Sequence, residues 1–247
     1  MRKHRYKKFY RIKRKKSLLK NKFFWLGFLF LIALGALFYA VFFSSFFQIR
    51  EIRISGNQGV PTEEIVSSFS RGNILLVDTK EINRAILEKF PKIAKVNTKR
   101  GFPDALIVQI EERKPVAVFS RDGDYFFIDI EGVIFEKISE KPSNMLVIKS
   151  ERDSIGKEML DKILKINSKL KDDLGIPFEE ILIVSDERLN VKTLDGWEIY
   201  FNPKGNLDWQ LEELAIVLKE RIPPKNRGNL KYIDLRFEKI FIFPETI

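Results

Sequence analysis

Three pairs of carboxylates are the residues of this chain whose type and spacing could perform acid–base chemistry. Two facing carboxylates can act as general acid and general base, as in glycoside hydrolysis. The candidate pairs are Asp122/Asp124, Asp129/Glu131 and Asp172/Asp173. Each pair also has a structural interpretation, because the first two flank or precede a glycine in a turn and the third follows a predicted helix. We therefore expect no enzymatic activity, with a carboxylate hydrolase as the alternative.

The composition excludes most other kinds of catalytic or metal site. The chain has no cysteine, and its single histidine is His4. Disulfides, iron–sulfur clusters, thiolate zinc sites and cysteine nucleophiles are therefore impossible, and no histidine triad or histidine metal site can form after residue 4. The glycines at 56 and 59 lack the Lys-Ser/Thr pattern of a phosphate-binding loop. We expect neither a cofactor nor a metal ion.

The positive charge of the chain lies in one short segment. The net charge is +10, and 12 of the 44 Lys and Arg residues lie in residues 1–22, which contain no Asp or Glu. Residues 23–247 therefore carry 32 basic and 34 acidic side chains. A body without excess positive charge argues against a nucleic-acid partner.

Residues 23–47, FFWLGFLFLIALGALFYAVFFSSFF, form an uncharged apolar stretch. As a helix it would be roughly 37 Å long, against a hydrocarbon core of about 30 Å. It is longer than the apolar part of a cleaved signal peptide, which is the alternative. We predict an uncleaved transmembrane helix. The basic segment 1–22 predicts a cytoplasmic N-terminus and an extracytoplasmic body, and it serves as a topology signal or, alternatively, binds DNA or a cytosolic partner.

Residues 48–119 have the pattern of a small α+β domain in the order β-α-α-β-β. QIREIRIS predicts the first strand, and Pro61 opens the first helix. Asp78 with Glu81 predicts a capping box at the second helix. The segment 101–104, GFPD, predicts a turn between the last two strands.

Residues 120–247 are richer in strands. The segments YFFIDIEGVIF, MLVIKS, FEEILIVSD, LNVKTL and WEIYF have strand patterns. Apolar spacing predicts helices over about 157–171 and from Leu207 to about Arg221. The predicted fold class is α+β, with a single N-terminal transmembrane helix, a β-α-α-β-β domain, and then a mixed β-rich domain with two helices.

The closing segment, LKYIDLRFEKIFIFPETI, departs from a simple strand pattern. It alternates up to Phe237, but residues 240–243 are all apolar. Three interpretations are open: a hairpin of 232–237 and 240–243 with a tight turn at Glu238-Lys239, one continuous strand with a bulge, or a strand buried on both faces. An apolar strand at an open sheet edge would accept a strand from another protein.

The order of these segments resembles a known family. The stretches SGN, GNILLVD and FPDALIVQIEERKPVAVF in the first domain, and IDIEGVIF and YIDLRF in the second, resemble the FtsQ/DivIB family of bacterial cell-division proteins. In that family the first domain is a POTRA domain. Pro103 and the run from Glu112 to Ala117, ERKPVA, match the typical end of such a domain. We interpret this motif as structural.

The resemblance implies a non-enzymatic scaffold in the inner membrane at the division septum, which links division proteins and helps to regulate septal wall synthesis. It implies that single-pass coiled-coil proteins of the FtsB/DivIC and FtsL types dock at the closing region, and that other division proteins contact the POTRA domain. The site carried over by position is Tyr232, Leu235, Arg236, Phe237, Ile240, Phe241, Ile242 and Phe243. The alternatives are a POTRA-containing accessory of protein transport or membrane assembly, and a membrane-anchored cell-wall hydrolase.

Overall fold

The computed structural model describes residues 22–69 and 72–244, and it begins with one long apolar helix. Helix α1 (Lys22–Phe43) is followed by a 3₁₀ turn over Ser45–Phe47. No residue of α1 is buried, and the segment Lys22–Phe47 is long and apolar enough to cross a membrane. A helix is thus confirmed at the predicted transmembrane segment. Residues 1–21, which hold nearly all of the basic segment, lie outside the described residues.

The first unit after α1 confirms the predicted β-α-α-β-β order. Its elements are β1 (Glu51–Ser55), α2 (Thr62–Val66), α3 (Thr79–Lys89), β2 (Ile93–Gly101) and β3 (Ala105–Glu112). The three-stranded sheet has the order β1-β3-β2, with β3 parallel to β1 and antiparallel to β2. The Asp78 carboxylate caps α3 by accepting hydrogen bonds from the backbone N–H groups of Lys80 and Glu81. Residues 74–76 form a turn rather than the extended bridge that the sequence suggested.

The second unit is built on a nine-stranded sheet of the order β12-β11-β10-β9-β8-β7-β4-β5-β6. Its strands are β4 (Ala117–Arg121), β5 (Asp124–Ile128), β6 (Ile134–Ile138), β7 (Val147–Lys149), β8 (Phe178–Ser185), β9 (Arg188–Thr193), β10 (Glu198–Phe201), β11 (Tyr232–Asp234) and β12 (Phe241–Phe243). The two predicted helices are present as α4 (Lys157–Ser168), which continues into a π-helical turn over Lys169–Asp173, and α5 (Leu207–Glu220). Because β4 is paired in this sheet, the change from one sheet to the other falls at residues 113–116, slightly before the expected boundary at 119.

The core of the second unit lies between its sheet and its two helices. Leu160 and Ile163 of α4 and Leu211 and Leu214 of α5 belong to one buried cluster with the inward side chains of the strands. Trp197 is fully buried there. Because successive strand residues point to opposite faces, the other face of the sheet carries the outward side chains. Residues of the closing strands are therefore more buried on the face covered by α4 and α5 than on the opposite face.

The two units are tied together by Arg113, in the ERKPVA motif. Its Nε donates to the carbonyl oxygen of Pro91 in the first unit at 2.9 Å, and its Nη1 donates to Asp129 Oδ2 in the second at 2.5 Å. The other carboxylate oxygen of Asp129 accepts from the backbone N–H groups of Glu131 and Val133. Both partners of this ion pair are largely buried. Removing either would leave buried polar groups without partners, which is costly.

The neighbouring residue of the motif, Glu112, holds a loop of the first unit. Its carboxylate accepts hydrogen bonds from the backbone N–H groups of Gln58, Gly59 and Val60, at 2.7–3.0 Å. Burial acts to raise the pKa of Glu112, but these three donors together hold the pKa below its ordinary value. The contacts of Glu112 and Arg113 give the motif a structural role.

Candidate functional site

The closing strand β12 lies at one edge of the nine-stranded sheet. It pairs antiparallel with β11 in the register Tyr232↔Phe243, Ile233↔Ile242 and Asp234↔Phe241. Strand β11 in turn runs parallel to β10, because α5 forms the crossover between them. Within residues 22–69 and 72–244, no strand pairs with the outer side of β12. Its outer backbone groups are therefore open to a further strand.

The hairpin interpretation of the chain's end is correct in outline, but its boundaries differ. Only residues 232–234 and 241–243 are paired, and residues 235–240 connect them in place of a tight turn at Glu238-Lys239. The chain leaves the sheet after Leu235, whose N–H donates to the carbonyl oxygen of Tyr200 at 2.9 Å. As a result Phe237, which a continued alternation would place on the same face as Ile233 and Leu235, is exposed.

The two other interpretations of the closing segment are wrong. A continuous strand is excluded by the break between β11 and β12. A strand buried on both faces is excluded because Phe241 and Phe243 are each 52% exposed. The physical reason is that α4 and α5 cover only one face of the sheet. Ile242, together with Ile240 before the strand, packs against that covered core, whereas Phe241 and Phe243 lie on the outer face.

The outer face at this edge is an aromatic ladder. The rings of Tyr200 and Tyr232 are stacked with centroids 5.2 Å apart, and those of Tyr232 and Phe243 are stacked at 5.6 Å. The ladder thus crosses β10, β11 and β12. Phe237 meets Phe241 edge to face at 5.9 Å. Cross-strand aromatic pairs of this kind contribute roughly 0.5–1 kcal/mol each and hold the exposed rings in place.

A fixed cation lies against this ladder. Arg236 binds the nearly buried carboxylate of Asp234 through two hydrogen bonds, Nε to Oδ1 at 2.9 Å and Nη2 to Oδ2 at 2.7 Å. The hydrogen bond to Asp234 raises the pKa of Arg236. The guanidinium carbon lies 5.2 Å from the ring centre of Phe237 and 5.6 Å from that of Tyr200, within the range of a cation–π contact. The edge therefore presents aromatic rings beside one oriented positive charge.

The structure separates the eight residues expected at the site into two groups. Tyr232, Arg236, Phe237, Phe241 and Phe243 reach the outer surface, whereas Leu235 is fully buried and Ile240 and Ile242 are partly buried against the core. The second group can act on a partner only by supporting the strand.

Sequence reasoning missed Tyr200 and Arg188 at this site. Arg188 lies over the ring of Tyr200, with its guanidinium carbon 4.6 Å from the ring centre. The segment WEIYF did predict a strand, and a strand followed by a helix and another strand favours parallel neighbours. That signal would have placed Tyr200 beside the closing strands.

The three carboxylate pairs do not form a site with two free acids. Each of the six side chains has a partner: Asp122 with Arg121, Asp124 with Lys137, Asp129 with Arg113, Glu131 with Lys157, Asp172 with the Ser168 hydroxyl, and Asp173 with Lys169. In the described part of the chain, no three His, Asp or Glu side chains are grouped so as to hold a metal ion. The contacts of these carboxylates are those of turns and surface ion pairs.

Two family models match the chain in succession. The model of the POTRA domain, FtsQ-type, matches residues 47–113, and that of the cell division protein FtsQ/DivIB, C-terminal, matches residues 117–236. The chain belongs to the FtsQ/DivIB family. This places it among cell-division proteins, and the matches give no support to a transport accessory. The second match ends at Arg236, so β12 lies beyond it.

Individual relatives of the FtsQ/DivIB family agree in length. The cell division protein FtsQ of Neisseria gonorrhoeae is 27% identical over 205 residues, which cover 80% of each chain. The cell division protein DivIB of Clostridium botulinum is 24% identical over 208 residues, covering 78% of this chain and 80% of that protein. The solved extracytoplasmic domain of DivIB from Geobacillus stearothermophilus is 18% identical and covers 48% of this chain and 93% of its own, with a TM-score of 0.27.

Proposed function

We propose that this chain is a non-enzymatic scaffold of the division machinery that binds a partner by strand addition to β12. The partner is a single-pass coiled-coil protein of the FtsB/DivIC type, with an FtsL-type protein bound alongside it. The observation that carries the proposal is the open edge of β12, where the rings of Phe241 and Phe243 are half exposed. A soluble protein normally protects such an edge with charge, so an unprotected aromatic edge indicates a binding surface.

The geometry of the edge specifies how a partner strand would bind. Backbone hydrogen bonds to β12 would supply affinity, and alternate side chains of the partner would lie beside Phe241 and Phe243 on the outer face. Burying the remaining half of each ring contributes about 1 kcal/mol, since full burial of a large apolar side chain is worth about 1.5–3 kcal/mol. Arg236, held by Asp234, would favour an acidic or aromatic residue of the partner beside the ladder.

The proposed location follows from the N-terminal segment. The 12 basic side chains of residues 1–22 favour a cytoplasmic N-terminus, so the two units would lie outside the membrane. Membership of the FtsQ/DivIB family favours the division septum as their location. There the scaffold would help to regulate septal wall synthesis. The POTRA unit would contribute localisation and contacts with other division proteins.

The proposal is tested with the full chain in lipid nanodiscs, titrated by calorimetry with the extracytoplasmic segment of the FtsB-type protein of the same organism. We expect saturable one-to-one binding. Phe241→Lys combined with Phe243→Lys should weaken binding about 30-fold or more, as for residues at the centre of an interface. Val184→Lys is the matched control, because Val184 is a half-exposed apolar residue of the same sheet, in β8 and away from the edge.

Three results would contradict the proposal. Unchanged affinity of the folded double variant would show that the partner does not use β12. Absence of binding by the unchanged chain, with the FtsL-type segment also present, would show that the resemblance gives the wrong partner. A loss of affinity in Val184→Lys equal to that of the double variant would indicate a general effect of charge on the sheet.

A further inference from the structure

The membrane-proximal end of the POTRA unit exposes apolar side chains that the proposed function does not use. In the described part of this unit, residues 48–69 and 72–113, the exposed large apolar side chains are Leu76 (66%), Phe102 (61%) and Leu87 (38%). The two most exposed lie in turns, at residues 74–76 and 102–104. These turns are far apart in sequence but lie at the same end of the unit.

Hydrogen bonds to the chain leaving α1 place both turns at this end. The N–H of Arg50 donates to the carbonyl oxygen of Asp104 at 2.9 Å, which fixes the turn that carries Phe102. The N–H of Ile74 donates to the carbonyl oxygen of Phe47 at 2.8 Å, which fixes the turn that carries Leu76. A further hydrogen bond links the segments that flank the two turns. Arg100, near the end of β2, donates its Nη2 to the carbonyl oxygen of Val77, just after the turn at 74–76, at 2.8 Å.

The depth of these turns relative to a membrane follows from Asn73. Its side-chain Nδ2 donates to the carbonyl oxygens of Val41 and Phe42 at 2.9 and 3.0 Å. These carbonyls belong to the last turn of α1, where no N–H group of the helix is available to donate to them. A hydrocarbon core of about 30 Å takes about 20 helical residues. Counted from Phe23, it ends near Phe43, so Asn73 and the turn after it lie at the level of the lipid headgroups.

The charges at this end suit a lipid surface. Arg50 and Arg100 lie beside the two turns, and the nearby carboxylate of Glu51 is already bound by Arg53 at 2.8 Å. Asp104 lies in one turn, and Asp78 follows the other, where its carboxylate is already engaged as the cap of α3. Apolar tips with basic side chains behind them are the combination that inserts at a membrane interface, with each basic residue near anionic lipid adding about 1 kcal/mol.

We propose that this end of the POTRA unit docks on the outer surface of the bilayer that α1 crosses. Leu76 and Phe102 enter the boundary between headgroups and acyl chains, and Arg50 and Arg100 face the lipid phosphates. The bilayer is the occupant because the surface is continuous with the end of α1 through Asn73. The inference rests on α1 crossing the membrane and is independent of partner binding at β12.

The absence of cysteine from the chain permits a direct test. Single-cysteine variants Leu76→Cys and Phe102→Cys of the full chain are labelled with an environment-sensitive fluorophore and placed in nanodiscs of phosphatidylcholine and phosphatidylglycerol. We expect blue-shifted emission and loss of fluorescence when the lipids carry a nitroxide near the headgroup. Leu194→Cys is the matched control, because Leu194 is 65% exposed in the second unit, and it should show neither effect.

A fourth label at Leu31, inside α1, is read with lipids that carry the nitroxide along the acyl chain, and it reports whether the helix is in the bilayer. Quenching by nitroxide lipid at Leu31 together with emission at Leu76 and Phe102 like that of the Leu194 control would overturn the docking proposal. A blue shift at Leu76 and Phe102 without lipid quenching would overturn it as well, because protein would then cover the surface. Partner binding measured on the same samples separates this outcome from a failure of the proposed scaffold function.

Discussion

The four edge strands of the two sheets differ sharply in what they present to solvent. Strand β1 carries the exposed ion pair of Glu51 and Arg53, and β2 carries exposed Lys95 and Lys99. Strand β6 ends the large sheet with Glu136 and Lys137, which are paired with Lys92 and Asp124. Strand β12 carries only apolar side chains, two of them half-exposed aromatic rings.

This difference shows where strand addition is permitted. Charged side chains on an edge discourage pairing with another strand, because pairing would remove those charges from water. Three of the four edges in the described part of the chain carry such charges and β12 does not. Most strand edges in the described part of the chain are thus protected by charge and one is open, and this open edge is where we propose that a partner strand binds.

The largest expected effect is on the free energy of unfolding, and it comes from a substitution on the inner face of β12. Ile242→Lys should lower the free energy of unfolding of the second unit by about 2–3 kcal/mol, because it places an ammonium against the core. Phe241→Lys, one residue away on the outer face, should lower it by no more than about 1 kcal/mol, because only the exposed contact with the Phe237 ring is lost. Chemical unfolding followed by the fluorescence of Trp197 and Trp209 measures both. Equal destabilisation would mean that β12 does not have distinct inner and outer faces.

The stability of the POTRA unit should fall in acid, because one of its loops is held by the carboxylate of Glu112. The pKa of Glu112 is lowered in the fold, so its carboxylate stabilises the POTRA unit above its ordinary pKa of 4.5. That stabilisation is lost as the pH falls through the lowered pKa. Glu112→Gln should cost about 1–2 kcal/mol at neutral pH and nothing in acid, as measured by thermal unfolding with circular dichroism.

The neighbouring Glu111 provides the control for that titration. It is exposed and makes only a surface ion pair with Lys95 at 3.5 Å. Glu111→Gln should change stability by less than about 0.5 kcal/mol at any pH. If Glu112→Gln lost no more stability than this control, the three backbone donors would have no role in holding the loop at residues 58–60.

A smaller effect is expected from the cation beside the aromatic ladder. Arg236→Lys keeps the charge but loses the paired hydrogen bonds to Asp234 and the planar contact with Phe237, so partner affinity should fall about fivefold, or about 1 kcal/mol. Lys239→Ala, in the same connection and fully outside these contacts, is the control. Calorimetry with the partner segment measures both. A larger loss for Lys239 would place the partner over the connection and not over the ladder.

The smallest change in stability is expected at β1, with a different readout. Glu51→Val with Arg53→Val should alter the free energy of unfolding by no more than about 0.5 kcal/mol, because the ion pair is exposed. Self-association should nevertheless increase, since the edge loses its charges. Sedimentation velocity measures the self-association. The control is the double variant Glu63→Val with Lys80→Val, because these two exposed residues lie on helices α2 and α3 and not on a strand edge. If the Glu51→Val, Arg53→Val variant stays monomeric, the charges on β1 are not needed to prevent pairing with another strand.

The parts of this fold that could be predicted are those with local signals. Helix α1 follows from an uncharged apolar run, α3 from its Asp78 cap, and the β2–β3 hairpin from the turn at 101–104. The neighbours in the large sheet could not be predicted in this way. Strand β7, for example, lies between β4 and β8 and parallel to both, a placement that depends on contacts between distant segments.

The candidate site was predictable in position but not in orientation. The apolar run at 240–243 contains the edge strand β12, but only the helices on one face of the sheet decide that Phe241 points outward and Ile242 inward. Leu76 and Phe102 were not singled out, because isolated apolar residues in turns have no periodicity. They become a surface only when the fold brings the two turns together beside α1.

The bridge made by Arg113 determines how this molecule would respond to a pull. Strand β3 starts at Ala105, next to the Asp104 carbonyl that accepts from Arg50, and reaches Glu112 about 23 Å away, given about 3.3 Å per strand residue. There Arg113 holds Pro91 on one side and Asp129 on the other. Tension applied at β12 would therefore pass through these paired groups into the first unit instead of being absorbed by bending at residues 113–116. The two units would then move as one stiff body under load.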